Sequence, residues 1–437
     1  MQTSLYNWQS LDHETRNDLL ARPAVRDDER IRDGARHIVS RVREGGDSAV
    51  AELTRELDRA ELSTFRVSDA EFDAAEAELD SAALDAIDLA IGNVRRFHEA
   101  QLPGRVEVET MPGILCERIS QPLDSVGLYV PAGTAPLPSA AVMLCVPAAI
   151  AGCPTRVLCT PPRPDGSADP AVLVAARRAG VSDVFKIGGA QAVAAMAYGT
   201  ESVPRVVKIF GPGNAWVTAA KSLVAMDPAG AAIDLPAGPS EVLVIADDTA
   251  NPDYVAADLL SQAEHGEDSQ VVLVCTSPGV GEAVVAATAT QLESLPRRSI
   301  AEVAIGHSRF VVAESLSEAV SISNQYAPEH LILHVANPRD LLPSLRNAGS
   351  VFLGPWSPES VGDYCSGTNH VLPTYGSARS YSGLSVDQFL RQMTVQELTR
   401  DGLQQIGNAV VTLAELEGLD AHARAVQFRL DDSSDQS

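Results

Sequence analysis

From residue 106 onward, short runs rich in β-branched residues alternate with alanine-rich segments that are long enough for helices. The β-rich runs are 115–119, 125–130, 156–160, 183–187 and 205–210, and the helical segments are 139–151, 171–179, 190–198 and 215–226. This alternation predicts βαβ units that build a parallel sheet. Further strands at 242–246 and 270–275 and a helix at 281–292 indicate a second α/β unit that begins near residue 240.

The two ends of the chain have a different pattern, which predicts helices, and the first 100 residues contain no candidate for chemistry. Ile31, Ile38 and Val42 recur on one helical face within the first 100 residues, and 385–430 is also expected to be helical. The last residues, 431–437, are acidic and polar, and we expect them to be disordered.

Charge and hydropathy exclude some classes of protein. The chain has 58 acidic and 33 basic residues and a net charge of −25, whereas sequence-independent nucleic-acid binding needs a basic surface. The first residues lack the basic and apolar regions of a signal peptide. The most apolar run, 140–153, is too short to span a membrane and contains Pro147. We therefore expect a cytoplasmic protein.

The six cysteines are scattered without a Cys-x-x-Cys pair, so we expect neither a disulfide framework nor a thiolate zinc cluster. Cys116 and Cys153 are candidates for aldehyde oxidation through a thioester. Nothing electropositive surrounds either residue in the sequence. We therefore expect them to be structural.

Three predicted strand-to-helix turns contain glycine, and they are 129–134, 188–191 and 211–214. Such turns lie where nucleotides bind in open α/β sheets, since helix N-termini attract phosphate. None has the Gly-x-Gly-x-x-Gly pattern, and no acidic residue follows at the distance expected for ribose binding. A nucleotide site is therefore plausible, although glycine serves tight turns of any function.

Several residues have side chains suited to metal binding or proton transfer. Gln262 and His265 share the last turn of a predicted helix and could bind zinc, but a histidine stabilised by the helix dipole is the alternative. The adjacent Glu329 and His330 could both transfer protons, or could be a surface pair. Asp363 and His370 lie in the polar loop 357–374, which could carry functional groups or be an ordinary surface loop. His422 is expected to be a solvated side chain.

Taken together, seven motifs resemble those of the histidinol dehydrogenase family over nearly the whole chain. They are VGLYVP at 126–131, IGGAQA at 187–192, GPGN at 211–214, LPAGPSE at 235–241, LSQAEH at 260–265, YAPEHL at 326–331 and EGL at 417–419. The resemblance implies a homodimer that oxidises L-histidinol to L-histidine through L-histidinaldehyde, with two NAD and one zinc ion per site, in histidine biosynthesis.

The same resemblance implies an α/β fold with two Rossmann-like but incomplete domains. The expected organisation is a helical N-terminal extension at 1–26, a first α/β domain at 27–128 and 242–384 with the metal and catalytic residues, a second at 129–241 with the cofactor-binding turns, a helical extension at 385–430 that contacts the partner subunit, and the tail at 431–437.

Site residues follow from the resemblance by position. Zinc would be held by Gln262, His265 and Asp363 of one subunit and by His422 of the partner subunit, and these side chains would also bind substrate. Glu329 and His330 match the catalytic bases, and Glu329 also touches substrate. The other substrate contacts would be Ser240, His370 and Glu417, and the NAD contacts would be Tyr129, Gln191 and Asn214.

Two alternatives outside this assignment remain open at this stage. One is a zinc-dependent, NAD-linked dehydrogenase of a related amino alcohol. The other is a zinc-binding or nucleotide-binding protein without catalysis, in which Glu329 and His330 are structural. The second alternative explains the α/β pattern, but it leaves the co-occurrence of metal ligands with proton-transfer residues unexplained.

Overall fold

The computed structural model describes residues 4–22, 29–132, 136–235 and 238–432. They form two compact units, one made of 1–101 with 123–389 and the other of 102–122 with 390–437. The helices are α1 His13–Leu20, α2 Glu29–Leu53, α3 Asp69–Glu78, α4 Ser81–Glu99, α5 Pro138–Ile150, α6 Pro170–Arg178, α7 Gly189–Tyr198, α8 Ala215–Met226, α9 Pro252–Ala263, α10 Pro278–Leu292, α11 Arg298–Gly306, α12 Leu316–Tyr326, α13 Glu359–Tyr364, α14 Arg400–Leu416 and α15 Asp420–Leu430.

The strands are β1 Leu5–Asn7, β2 Val106–Met111, β3 Ile114–Pro122, β4 Ser125–Tyr129, β5 Thr155–Thr160, β6 Asp183–Lys186, β7 Lys208–Phe210, β8 Ala232–Ile233, β9 Glu241–Ala246, β10 Gln270–Cys275, β11 Arg309–Val312, β12 His330–His334, β13 Ser350–Leu353 and β14 Leu390–Leu398. The predicted α/β alternation is therefore confirmed, except that the run 115–119 was wrongly assigned to a parallel sheet, because it lies in β3, which pairs antiparallel with β2 and β14. The division of the chain into two α/β domains stays a prediction.

The larger unit contains two parallel sheets. The first has the strand order β6-β5-β4-β7-β8, and the second has the order β1-β11-β10-β9-β12-β13. β1 lies within the predicted N-terminal helical extension, and it joins the edge of the second sheet by pairing with β11. Periodicity misses so short a strand because three residues are too few to show a pattern.

The strands of the second sheet are buried, which explains why their sequences are continuous runs of apolar residues. All six residues of β9 and of β10 are buried, as expected for parallel strands covered on both faces. Val244 and Leu273 pack towards α9, whereas Leu243 lies in the core that includes Trp8 and Tyr326 on the opposite face. β9 therefore lies at the centre of a rigid platform.

The smaller unit consists of an antiparallel sheet with the order β14-β3-β2 and the helix pair α14 and α15. The prediction that 385–430 is helical throughout is wrong over Leu390–Leu398, which pairs with β3 along its whole length. A strand stabilised by so distant a partner carries little local signal. Among the helices that the structure describes, none is long and apolar enough to cross a membrane.

Candidate active site

The predicted catalytic residues Glu329 and His330 and the predicted metal ligands other than His422 meet at the amino edge of the second sheet. Glu241 and His330 are the first residues of the neighbouring strands β9 and β12, and His330 lies in register with Val242. α9 returns from the opposite edge, so Gln262 in its last turn reaches the same place. The site thus lies away from the carboxyl edge, where ligands usually bind in open α/β sheets.

Glu329 and His330 form a buried pair that is held by the backbone of Glu241. Oε2 of Glu329 lies 3.7 Å from Nδ1 of His330 and accepts a hydrogen bond of 2.9 Å from the Glu241 amide. The Glu241 carbonyl oxygen lies 3.2 Å from the same Nδ1. A carbonyl only accepts, so this contact is a hydrogen bond when Nδ1 carries the proton, whereas the Gln262 amide nitrogen, which lies 3.2 Å from the same Nδ1 in the orientation that satisfies Glu359, would donate to it. Both residues are at most 5% exposed, so the surface-pair alternative is wrong.

The side chain of Glu241 is itself held by hydrogen bonds, which fix the position of the Glu241 backbone. The Arg22 guanidinium donates to both Glu241 carboxylate oxygens, at 2.6 and 2.9 Å, and lies over the ring of Tyr326. The Tyr326 hydroxyl also donates to Glu241 at 2.9 Å. A buried, bidentate pair of this kind fixes the position of the residue that orients Glu329 and His330.

Burial shifts the pKa values of Glu329 and His330 in opposite directions. It raises the pKa of Glu329 well above its usual range, and the charges of Glu241 and Asp363 add to the shift. Burial lowers the pKa of His330 to about 4, although the Asp363 carboxylate partly opposes this change. At neutral pH the imidazole is therefore uncharged and able to accept a proton.

Metal-binding atoms converge beside His330. One ligand atom from each of His265, Asp363 and Glu359 lies within 4.8 Å of the others. Asp363 Oδ1 lies 3.8 Å from His330 Nε2, and Glu359 Oε1 lies 3.8 Å from His330 Nδ1. The structure thus brings together two of the predicted zinc ligands, and it adds Glu359.

Glu359 is a site residue that sequence reasoning missed. It lies one helical turn before Asp363 on α13, a short helix inside the stretch 357–374 that was predicted to be a loop. Glu359 is 1% exposed. Its Oε1 accepts a hydrogen bond of 2.7 Å from the Gln262 amide nitrogen, in the amide orientation that satisfies both groups. The four-residue spacing of Glu359 and Asp363 was the available signal.

The electrostatics of this cluster suit a bound cation. Burial raises the pKa of Glu359 well above its usual range, and the carboxylates of Asp363, Glu329 and Asp258 raise it further. Four acidic groups in so small a buried volume repel one another unless they are protonated or neutralised. Carboxylate, imidazole and amide oxygen form a donor set that zinc accepts. The residues therefore fit the metal that the sequence motifs imply.

The predicted substrate contacts lie in different parts of the molecule. His370 is near the cluster, because its Nδ1 lies 2.9 Å from the Asp363 carbonyl oxygen. Ser240 directly precedes β9. Glu417 and His422 belong to the smaller unit, at the end of α14 and on α15, and both are exposed. A cleft of about 620 Å³ beside β13 contains none of the predicted site residues.

The predicted cofactor residues lie at the carboxyl edge of the first sheet. The Tyr129 hydroxyl at the end of β4 accepts a hydrogen bond of 3.0 Å from the Gly189 amide, where α7 begins. Gln191 is buried in the first turn of α7. The Asn214 side chain accepts from the amides of Trp216 and Val217 and so caps α8. Two helix N-termini thus open at this edge.

Comparisons with known proteins agree along almost the whole chain. The family model described as histidinol dehydrogenase matches residues 21–430. Proteins named histidinol dehydrogenase from Vibrio cholerae and Xanthomonas axonopodis pv. citri are 55% and 54% identical, with 97% and 98% of this chain covered and 97% and 99% of theirs. The crystal structure of histidinol dehydrogenase from Elizabethkingia anophelis has a TM-score of 0.94 at 44% identity, with 98% of each chain covered. The chain therefore belongs to the histidinol dehydrogenase family and is an oxidoreductase.

Proposed function

We propose that this protein oxidises L-histidinol to L-histidine through L-histidinaldehyde, with reduction of two NAD, in histidine biosynthesis. The observation that carries the proposal is the buried Glu329–His330 pair beside the converging ligand atoms of His265 and Asp363. The names of the relatives support histidinol as substrate. A binding protein without catalysis would gain nothing from two buried proton acceptors at a metal site.

Zinc would be held by Gln262, His265 and Asp363 together with His422 of the partner subunit. When bound, it would supply a Lewis acid that fixes the amine and imidazole of the substrate in place. The Asp363 carboxylate and the His265 imidazole lie close enough to share one ion. Substrate contacts at Ser240, His370 and Glu417 are part of the same proposal.

His330 would act in the first oxidation. Its Nε2 accepts the proton of the substrate hydroxyl while hydride leaves the carbinol carbon for NAD, so the alcohol loses two electrons and becomes the aldehyde. Burial keeps the imidazole unprotonated beforehand, and the neighbouring Asp363 stabilises the imidazolium that forms. The contact of Nδ1 with the Glu241 carbonyl orients the ring for this transfer.

Glu329 would act in the second oxidation. Its raised pKa makes the carboxylate a stronger base than an exposed glutamate, which suits removal of a proton from water. The water oxygen adds to the aldehyde carbon, and hydride from the resulting hydrate reduces a second NAD. The Glu241 amide occupies Oε2, so Oε1 remains for the water.

NAD would bind at the carboxyl edge of the first sheet, with contacts from Tyr129, Gln191 and Asn214. The N-termini of α7 and α8 provide positive potential for the pyrophosphate. These features support an NAD site without a complete dinucleotide fingerprint.

A homodimer with a shared metal site completes the proposal. In the smaller unit, Leu413, Leu416 and Phe428 are 61%, 79% and 72% exposed. So many large apolar side chains on two short helices indicate a surface that another protein covers. His422 lies on one of these helices, α15, where a second copy of this chain would bring it to the metal.

The test is NADH formation from L-histidinol by the purified protein, before chelation, after chelation and after zinc is returned. We expect activity that is lost on chelation and restored by zinc. Activity only with another amino alcohol would show that the protein is a dehydrogenase of a related substrate. Zinc binding without oxidation of either substrate would contradict it.

A further inference from the structure

The turn at the start of α7 contacts an acidic side chain from a distant part of the chain. In many dinucleotide-binding proteins, a carboxylate about 20 residues after the glycine turn binds the ribose hydroxyls. No acidic residue follows Gly188 and Gly189 at that position. Instead, Asp58 reaches this turn from a segment that lies about 130 residues earlier in the chain.

The local structure explains how Asp58 is presented there. After α2, the chain makes one wider helical turn, Thr54–Asp58, and ends it at Arg59, whose φ of 57° is left-handed. α2 packs against α7, which brings the end of this turn to the N-terminus of α7. Asp58 is half-buried, and its Oδ2 accepts a hydrogen bond of 3.0 Å from Nε2 of Gln191.

A buried polar atom without a hydrogen-bond partner in the described part of the chain lies beside this carboxylate. Gln191 is 1% exposed, yet its Oε1 has no hydrogen-bond partner in the described part of the chain. Oδ1 of Asp58 likewise accepts no hydrogen bond from the described residues, and it lies 3.1 Å from the position that a Cβ on Gly188 would take. A buried polar atom without a partner is costly, so Gln191 Oε1 indicates a ligand that supplies the missing hydrogen bond, and the half-buried Oδ1 of Asp58 can bind the same ligand.

A third group faces the same space. The Tyr129 hydroxyl uses its oxygen to accept from Gly189, which leaves its proton available for a ligand. Asp58 is close enough for its charge to help raise the pKa of Tyr129, although burial is the main cause. A hydroxyl donor, an amide oxygen and a carboxylate oxygen thus border one glycine turn.

We propose that Asp58 binds the 2′-hydroxyl of the adenosine ribose of NAD and thereby excludes NADP. This inference rests on the proposed function, because it assigns a residue to the cofactor of that reaction. A ribose hydroxyl donates to a carboxylate oxygen and accepts from the phenol of Tyr129. A 2′-phosphate would instead place two further negative charges beside a half-buried carboxylate, where solvent screens the repulsion poorly.

The chain offers an isosteric variant and a matched control. Asp58→Asn keeps the size and polarity of the side chain and removes its charge. Glu56→Gln makes the same change two residues earlier, on an exposed side chain that pairs with Arg41. A second variant, Asp58→Ser, removes most of the side chain and tests whether any effect depends on the shape of asparagine.

The experiment measures the dissociation constants of NAD and NADP by calorimetry, and kcat/KM for each cofactor at saturating L-histidinol. For Asp58→Asn and Asp58→Ser, we expect NAD affinity to fall by about tenfold and the NADP-to-NAD ratio of kcat/KM to rise by about tenfold or more. Glu56→Gln should keep the wild-type ratio, and the KM for L-histidinol should not change in any variant.

An NADP-to-NAD ratio within twofold of wild type in both Asp58 variants would overturn the assignment. Weaker NAD binding without a gain for NADP would also overturn it, because Asp58 would then only support Gln191. If the wild-type protein reduced neither cofactor, the proposed function itself would fail. These three results are distinct, so the two proposals can be judged separately.

Discussion

The backbone of Glu241 holds Glu329, since its amide donates a hydrogen bond of 2.9 Å to Glu329 Oε2. Its carbonyl oxygen lies 3.2 Å from Nδ1 of His330, so one peptide segment orients both proposed bases. Within the described residues, neither Oε1 of Glu329 nor Nε2 of His330 makes a hydrogen bond, and the proposal assigns both atoms to the substrate. The two half-reactions can therefore use different groups without a rearrangement between them.

The position of Glu359 predicts a role in metal affinity. It is buried, it lies with His265 and Asp363 within 4.8 Å, and it holds the amide nitrogen of Gln262. We expect Glu359→Ala to weaken zinc binding by about 10-fold to 100-fold, measured by competition with a chromogenic chelator. The exposed Glu267 is a control, and Glu267→Gln should bind zinc as wild type does. Wild-type affinity in Glu359→Ala would contradict this role.

A site shared between subunits predicts complementation. Dimers that contain one Gln262→Ala chain and one His422→Ala chain would have one intact site and one site with both changes. Random mixing by reversible unfolding should therefore restore up to about a quarter of wild-type activity.

The control mixture combines Gln262→Ala with His265→Ala. These residues serve the metal from the same subunit in the proposal, so every site in this mixture is damaged. Recovered activity in the control, or none in the first mixture, would contradict a shared site.

The lowered pKa of His330 predicts how the stability of the metal-free protein depends on pH. The folded-state pKa is about 4, whereas an unperturbed histidine has a pKa of about 6.5. As pH falls, the unfolded chain binds a proton first. The contribution of neutral His330 is therefore complete above about pH 6.5 and is lost as pH falls towards 4.

The free energy of unfolding gives the measurement. Between about pH 7.5 and about pH 5, the wild-type protein should lose about 2 kcal/mol more than His330→Asn in denaturant titrations with a chelator present. His307 is exposed, so His307→Asn should lose stability as the wild type does. Equal pH dependence in wild type and His330→Asn would show that His330 is not buried in its neutral form.

The cysteines provide a test against a thioester route. Burial raises the pKa of both Cys153 and Cys275 to about 11, and Cys145 and Cys159 are also fully buried. At about pH 8, iodoacetamide should therefore label only the half-buried Cys116 and Cys365.

The Cys116→Ser and Cys153→Ser variants should keep activity within about twofold of wild type, because neither thiol has a role in the proposed mechanism. Substrate protection of Cys153 from labelling, together with inactivation of Cys153→Ser, would instead support a thioester intermediate.

Local patterns predicted much of the fold because helices and buried parallel strands leave periodic signals. The strand 242–246 and the helix that contains Gln262 were located from apolar spacing, but the prediction that His265 shares the last helical turn is wrong, because α9 ends at Ala263. β14 was missed, since its stability comes from pairing with β3 rather than from its own residues. The order of strands in each sheet also has no local signal.

The candidate site divides in a similar way. Side chains with distinctive chemistry could be found from the sequence, since Glu329 and His330 lie in a motif and Asp363 lies in a polar loop. Asp58 and Glu241 were missed because their relevance depends on contacts with distant residues, Gln191 for one and Glu329 for the other. Glu359 was missed because the surrounding residues are typical of a loop, although they include the helix α13.

The central claim is that one site performs two successive oxidations with separate bases. The most direct test is the amount of NADH formed per mole of limiting L-histidinol, by wild type and by Glu329→Gln. The account predicts two NADH for wild type and one for Glu329→Gln, with aldehyde accumulating, because only the second oxidation needs the carboxylate. One NADH from wild type, or equal loss of both oxidations in Glu329→Gln, would contradict the account.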